Sequence, residues 1–235
     1  MSEPVSLQPN PGKQLTVELG GAAYARYPIR TKLVTAGDDI VAIVKEAAAP
    51  HLHPGDTVVI SEKVVAVSQG RAYPVSEIKP GWWARALSKR VSKSPWGIGL
   101  GIPETMQLAI EEAGLLRILF AIAVSVPMRV FGVRGLFYHL AGNNINSIDG
   151  PTEGTIPPYD TYAKLPPKDP EGVARRISGA LNGAPIVIID ANDLGQRILG
   201  ASLGADRRLV MACFKDNPLG QGAEQTPISI VRKVA

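Results

Sequence analysis

A chain of 235 residues that is 45% hydrophobic is long enough to bury a sizeable core and fits one large domain or two small, closely joined ones. Its formal charge of +4 and isoelectric point near 9.2 suit an anionic ligand. Lysine and arginine are scattered, though, with only RALSKRVSKS at 85–94 approaching a cluster, and no DNA- or RNA-binding motif accompanies the charge, so nucleic acid is not favoured as a partner. The single cysteine, Cys213, excludes an internal disulfide framework and a cysteine-cluster metal site and suits a reducing, cytoplasmic setting.

Residues 1–14, MSEPVSLQPNPGKQ, lack the charged-then-apolar order of a signal peptide and read as a mobile tail. With a short leading segment they make up residues 1–24, and one domain is expected over 25–235. LTVEL at 15–19 and the stretch before Tyr27 read as short strands. Asp38 or Asp39 is placed to cap a helix running to Ala49, with Ile40, Ile43, Val44 and Ala47 on one face and Pro50 ending it. A turn, PGD, then leads into a buried strand, TVVIS. The following run to Gly70 contains Val64, Val65 and Val67 and stays open between helix and strand. A helix capped by Ser61 would present backbone N–H groups where phosphate binds well; a plain hairpin would not.

Residues 80–93, with Trp82 and Trp83, predict an amphipathic helix whose Ala84, Leu87 and Val91 face inward. Gly97, Gly99 and Gly101 precede a helix opened by Pro103 and Glu104 and closed by Gly114. Their spacing is neither GxxxxGK[ST] nor GxGxxG, so the glycines read as a flexible connection. The most apolar run, LLRILFAIAVSV at 115–126, carries Arg117 and is followed by Pro127 and Arg129. It is too short to span a membrane and reads as a buried strand or core segment.

Residues 135–170 show neither a 3.6 nor a 2 period over most of their length, yet Tyr138, Tyr159, Tyr162 and paired prolines argue against disorder. An ordered binding loop is expected there. Asp169, Pro170 and Glu171 form an N-cap, a first-turn proline and a first-turn acid for a helix to Leu181, stopped by Asn182 and Gly183. APIVIID is an apolar strand that ends on Asp190. That carboxylate stands either at the rim where α/β proteins place ligands or as a cap of the next turn. ISIVRKV near the end closes a sheet. The sum is a mixed α/β (α+β) protein with several strands and about four helices.

Taken together, GDTVVISEKVVAVSQGR, SIDG, LPPKDPEGVARRI, IVIIDAN and GQGAEQTPISIVRK occur in an order that resembles the coenzyme F420-0:gamma-glutamyl ligase family over most of residues 27–235. The resemblance implies a mixed α/β fold, a homodimer, and a GTP-dependent ligase with Mg or Mn as divalent metal. Such an enzyme joins L-glutamate to the lactyl phosphate end of F420-0 through an acyl-phosphate intermediate, forming an amide carbon–nitrogen bond. The same resemblance places metal-binding carboxylates at Asp149 in SIDG and Asp190 in IIDAN, with Asn144 in AGN as an alternative alignment for the first. Activating a carboxylate with a nucleoside triphosphate needs cations that bridge phosphate oxygens, and hard cations take oxygen ligands.

Lys63, Arg71 and Asn192 are the candidate nucleotide-binding residues; for Lys63 and Arg71, plain solvent exposure is the alternative. No catalytic side chain is singled out. The chain departs from the family pattern at several points. Ala66 and Val67 replace a Ser-Lys pair, Ala191 replaces a threonine, IPPYDTYAKL is inserted before the PP pair, and the segment between Asp206 and Gln221 is short. Two readings follow. One is a metal- and nucleotide-dependent acid–amine ligase for a small molecule bearing carboxylate or phosphate. The other is a non-catalytic nucleotide- or anion-binding protein that keeps the ligase fold. Neither involves nucleic acid or a membrane.

Overall fold

The computed structural model describes residues 7–91, 99–133, 135–142, 145–152, 154–192, 195–220 and 222–234. In chain order these form β1 (Thr16–Leu19), β2 (Ala22–Ile29), α1 (Ile40–Ala48), β3 (Thr57–Ser61), α2 (Glu62–Ser68), β4 (Ala72–Pro74), α3 (Trp82–Ser88) and α4 (Pro103–Ala113). There follow α5 (Leu115–Met128), α6 (Leu136–Ala141), β5 (Tyr162–Lys164), α7 (Pro170–Ala180), β6 (Ile186–Asn192), β7 (Gly195–Ala201), α8 (Arg207–Cys213) and β8 (Ile228–Lys233). Contacts divide the chain into two units, the first made of residues 1–70, 154–156 and 167–235, the second of 71–153 and 157–166.

The first unit is built on a six-stranded mixed sheet in the order β1-β2-β8-β3-β6-β7. Its central strands are apolar on both faces because both faces are covered. Val58 and Ile60 of β3, Ile186 and Ile188 of β6, and Ile228 and Ile230 of β8 meet Ile40 and Val44 of α1 and Val173 and Ile177 of α7. The alternate residues Val59, Val187, Ile189 and Val231 meet Val210, Cys213 and Phe214 on the opposite face. The period of two along each strand produces this division, and each such side chain contributes about 1.5–3 kcal/mol on burial.

The helix starts follow their caps. The Asp39 carboxylate accepts from the N–H of Val41 and Ala42 at 2.9 and 3.2 Å. Asp169 accepts from Gly172 at 3.0 Å, and Asp206 from Arg208 and Leu209 at 2.9 and 3.0 Å. α7 ends where Asn182 and Gly183 turn left-handed, at φ 55° and 84°, as the sequence predicts.

Residues 1–6 of the expected tail lie outside the described residues, but the remainder is packed into this unit. The Asn10 amide is buried and donates to the Pro218 carbonyl at 2.9 Å and the Thr226 hydroxyl at 2.7 Å. One polar anchor of this kind leaves no periodic signal in the sequence. On the α8 face, burial pushes the Cys213 thiol up to about 11. A thiol protonated at pH 8 is a poor nucleophile, so iodoacetamide is expected to leave Cys213 unlabelled in the native protein at that pH and to label it fully in denaturant. Native-state labelling at the denatured rate would show that this core is open.

The second unit carries α3 to α6 and the two-stranded sheet β4-β5, around a core that includes Ala84, Leu100, Met106, Ala109, Ile118 and Ala121. α4 begins at Pro103 and stops at Gly114, φ 85°, as expected. The run at 115–126 is not a strand or a wholly buried segment but the helix α5. Ile118, Ala121 and Ser125 face inward, while Leu116 and Phe120 are 83% and 57% exposed; apolar residues all round the helix erase the period that would reveal it. The 135–170 segment is also more regular than its composition predicts, since it contains α6, β5 and a bridge between Asp149 and Lys164. The rings of Tyr159 and Tyr162 meet edge to face at 5.3 Å.

Candidate functional site

Sheet register decides which chain segments share an edge. β3 and β6 run parallel, with Ser61 opposite Ile189 as their last pair. β8 runs antiparallel to β3 and to β2, with Ile228 opposite both Ile60 and Ile29. One edge of the first unit therefore gathers Arg30, then Ser61, Glu62 and Lys63, then Asp190, Ala191 and Asn192, and the 225–227 segment that leads into β8. This is the carboxyl end of the parallel pair, where open α/β sheets hold ligands.

The ambiguous run after Ser61 is a helix, α2, and not a hairpin. Its start owes nothing to a Ser61 side-chain cap; the Ser61 N–H instead donates to the Pro227 carbonyl at 2.8 Å, which fixes the β3 end against the β8 entry. Glu62, in the first turn, is 3% exposed, and Lys63 is half-buried. Asp190, half-buried, stands opposite Arg197 in the β6-β7 hairpin. Asn192 shapes that hairpin: its Oδ1 accepts from the Gly195 N–H at 3.0 Å.

Three further contacts brace this edge. Gln225 adopts a left-handed φ of 59°, held by its amide donating to the Thr31 carbonyl at 2.7 Å and by the Thr31 N–H donating to the Gln225 carbonyl at 3.2 Å. Non-glycine residues in that region concentrate at functional sites. The Glu224 carboxyl lies 2.6 Å from where a Cβ on Gly220 would stand and 3.3 Å from one on Gly222, so the two glycines make room for it. Gln69 exchanges two hydrogen bonds with the Lys168 backbone, at 2.9 and 2.7 Å, and thereby ties the LPPKDP segment to the end of α2. In the loop before α1, Lys32 and the Thr35 N–H hold the Asp38 carboxyl down to about 2.

Of the residues expected from sequence, Lys63, Asp190 and Asn192 thus share one edge of the first unit, while Asp149 and Arg71 belong to the second. Asp149 pairs its N–H and carbonyl with the Lys164 backbone at 3.0 and 2.8 Å. Arg71, expected to face phosphate or solvent, is buried: its Nε donates to the Pro166 carbonyl at 2.5 Å and its Nη2 pairs with Glu112 at 2.9 Å. Asn144 lies outside the described residues. Glu62 and Glu224 escape a reading of the sequence, because only the register of β3 and β8 brings them to the edge that Asp190 occupies.

The donors at this edge are carboxylate and amide oxygens, which suit a hard divalent cation and not a soft one. Among the described residues no group of three or more His, Cys, Asp or Glu side chains is close enough to hold a metal ion. That sparseness is compatible with magnesium or manganese chemistry, in which one or two carboxylates, waters and substrate phosphates share the cation.

Residues 28–199 match the model of the family F420-0:Gamma-glutamyl ligase. An uncharacterised protein of Methanocaldococcus jannaschii is 29% identical over 188 residues, covering 74% of this chain and 59% of that protein. The coenzyme F420:L-glutamate ligase of Methanopyrus kandleri is 25% identical over 192 residues, covering 79% of this chain and 66% of that enzyme. The chain therefore spans less than two thirds of the length of either relative. The family match takes in most of the chain and includes β3, α2, α7 and β6, while the 225–227 segment of the edge lies beyond it. This chain belongs to the F420-0:gamma-glutamyl ligase family.

Proposed function

We propose that this protein is a carbon–nitrogen ligase that uses GTP and a divalent cation to join an amine such as L-glutamate to an acidic small molecule of the F420-0 type. The observation that carries the reading is the placement of Asp190, one residue beyond Ile189, the last β6 residue paired with parallel β3, while Glu62 and Lys63 open α2 directly after Ser61, its partner in β3. In the reaction the acid's carboxylate oxygen takes the γ-phosphoryl group of GTP, giving GDP and an acyl phosphate. The amine then attacks the acyl carbon, loses a proton, and expels phosphate.

Asp190 and Glu62 are the residues that would hold the cation, and Mg or Mn bound there would screen the phosphate charge. Lys63 supplies a cation for the nucleotide phosphates, and the Asn192 amide a neutral contact for the nucleotide. Asp149 is proposed as a further metal ligand, open to an independent test. Arg71, with its charge met by Glu112, is assigned to holding the β4 end and not to phosphate contact. Assembly as a homodimer and a cytoplasmic location belong to the same reading.

A second reading, nucleotide binding without ligation, is favoured by one observation. Ala66 and Val67, which replace the family's Ser-Lys pair, are buried at 2% and 6% exposure, so that stretch of α2 packs the core and offers no polar group to a substrate. Incubation of the full chain with GTP, manganese, L-glutamate and F420-0 separates the two. Ligation predicts GDP formation that depends on the acid, and sustained turnover with the glutamylated product by mass only when acid and amine are both present. GTP that binds but stays intact under every combination would reject ligation and leave the second reading.

A further inference from the structure

We propose that the second unit carries a binding groove for an amphiphilic organic anion, a small molecule with an apolar body that ends in a carboxylate or phosphate. The groove, of roughly 260 Å³, lies between the end of α3, the last turns of α5 and the start of α6. Leu87, Leu100, Met106, Ile122, Leu136 and Phe137 line it. Leu100 and Met106 are core residues, 2% and 1% exposed, so this wall is fixed by packing and does not collapse at will. Ser125, the one hydroxyl on the α5 side, points its Oγ back to the Ile122 carbonyl at 3.5 Å and offers the cavity little polarity.

The charged side chains of the lining are both solvent-exposed. Arg90 and Arg129 both line the groove, and neither meets a carboxylate among the described residues. Arg90 caps its own helix through one nitrogen, donating to the Ala86 carbonyl at 3.1 Å, and Arg129 stands at the end of α5. Helix termini attract arginine in general, but that preference does not explain why two guanidiniums flank one apolar cavity. Their planar forks match carboxylate and phosphate oxygens. Tyr138, also in the lining, is held above its ordinary pKa by partial burial, so its phenol stays protonated and can donate to the same anion. A concave, largely apolar pocket with a few convergent polar groups is the usual form of a small-molecule site. A lipid surface would press on exposed apolar residues at large, of which Leu116 and Phe120 of α5 lie outside the groove and Val126 at its mouth, so the vesicle arm of the test below distinguishes it.

The site is independent of the ligase reading, and its test uses binding alone. Calorimetry on the full chain would titrate monomeric decanoate and decyl phosphate against decanol and decylamine of equal chain length. The expected result is saturable one-to-one binding of the anions, with decanol and the Arg90→Gln/Arg129→Gln variant about tenfold weaker or worse. Val126→Trp, at the exposed mouth, should block binding with unchanged circular dichroism. Equal affinity for decanol and decanoate, no loss in the double arginine variant, or an absence of saturation would overturn the proposal. So would co-sedimentation with phosphatidylglycerol vesicles in a protein that ignores monomeric decanoate, since that pattern belongs to a membrane-facing surface.

Discussion

Asp190→Asn is expected to weaken manganese binding by roughly a hundredfold, about 3 kcal/mol, while leaving circular dichroism and thermal unfolding unchanged. The size follows from removing one anionic oxygen ligand of a divalent cation at a half-buried position, where Coulomb attraction is only partly screened. The structural specificity follows from shape, since asparagine keeps the side-chain outline and caps a turn as well as aspartate does. A carboxylate with a merely structural place in β6 would therefore give a variant with unaltered stability and no metal affinity to lose. Asp149→Asn is titrated separately, with and without GTP. A loss there marks a second carboxylate ligand; unchanged heats leave Asp190 and Glu62 as the metal-binding pair. Absence of binding in the wild type, or identical heats in wild type and Asp190→Asn, would sink the metal site at this edge.

Elements with chemical end markers could be read from the sequence: Asp39 before α1, Pro103 and Gly114 around α4, Asp169 and Asn182-Gly183 around α7. The strands β3 and β6 announced themselves by continuous apolar runs, and β8 by one interrupted only by Ser229, because they are covered on both faces. β7 did not, since it is an edge strand whose first residues alternate between exposed and half-buried, and GQRILGA reads equally well as a turn. α5 was hidden by its apolar outer face. Within the candidate site, Asp190 was visible as a charge that follows the apolar run at 186–189, although β6 continues two residues further, to Asn192. Glu62 was masked by the helix-or-strand ambiguity of EKVVAVS, and Glu224 by a loop without period. Arg71 looked like a surface cation because its partner Glu112 is distant in sequence, and only the fold of the second unit brings the pair to 2.9 Å.

Gly200→Ala is expected to destabilise the first unit by about 3 kcal/mol, lowering its thermal midpoint by roughly 6–12 °C. Gly200 sits in β7 opposite Ile188, and the start of α7 crosses directly above it. A Cβ there would lie 2.4 Å from the Pro170 carbonyl carbon and 2.6 Å from the Glu171 nitrogen. Both are backbone atoms, so no rotamer change relieves the clash; either α7 or the strand must move. Gly195, in the same strand, has nothing within 4 Å of its would-be Cβ, which makes Gly195→Ala the control, expected within about 0.5 kcal/mol of wild type. The consequence reaches the end of α2, because the Asp169 cap and the Gln69–Lys168 hydrogen bonds hang on the position of the first turn of α7. Iodoacetamide labelling of Cys213, whose burial depends on the same sheet, should accelerate in Gly200→Ala at denaturant concentrations that leave wild type and Gly195→Ala protected. Matching midpoints and labelling rates in the two alanine variants would mean that the close approach of α7 to β7 does not constrain the fold.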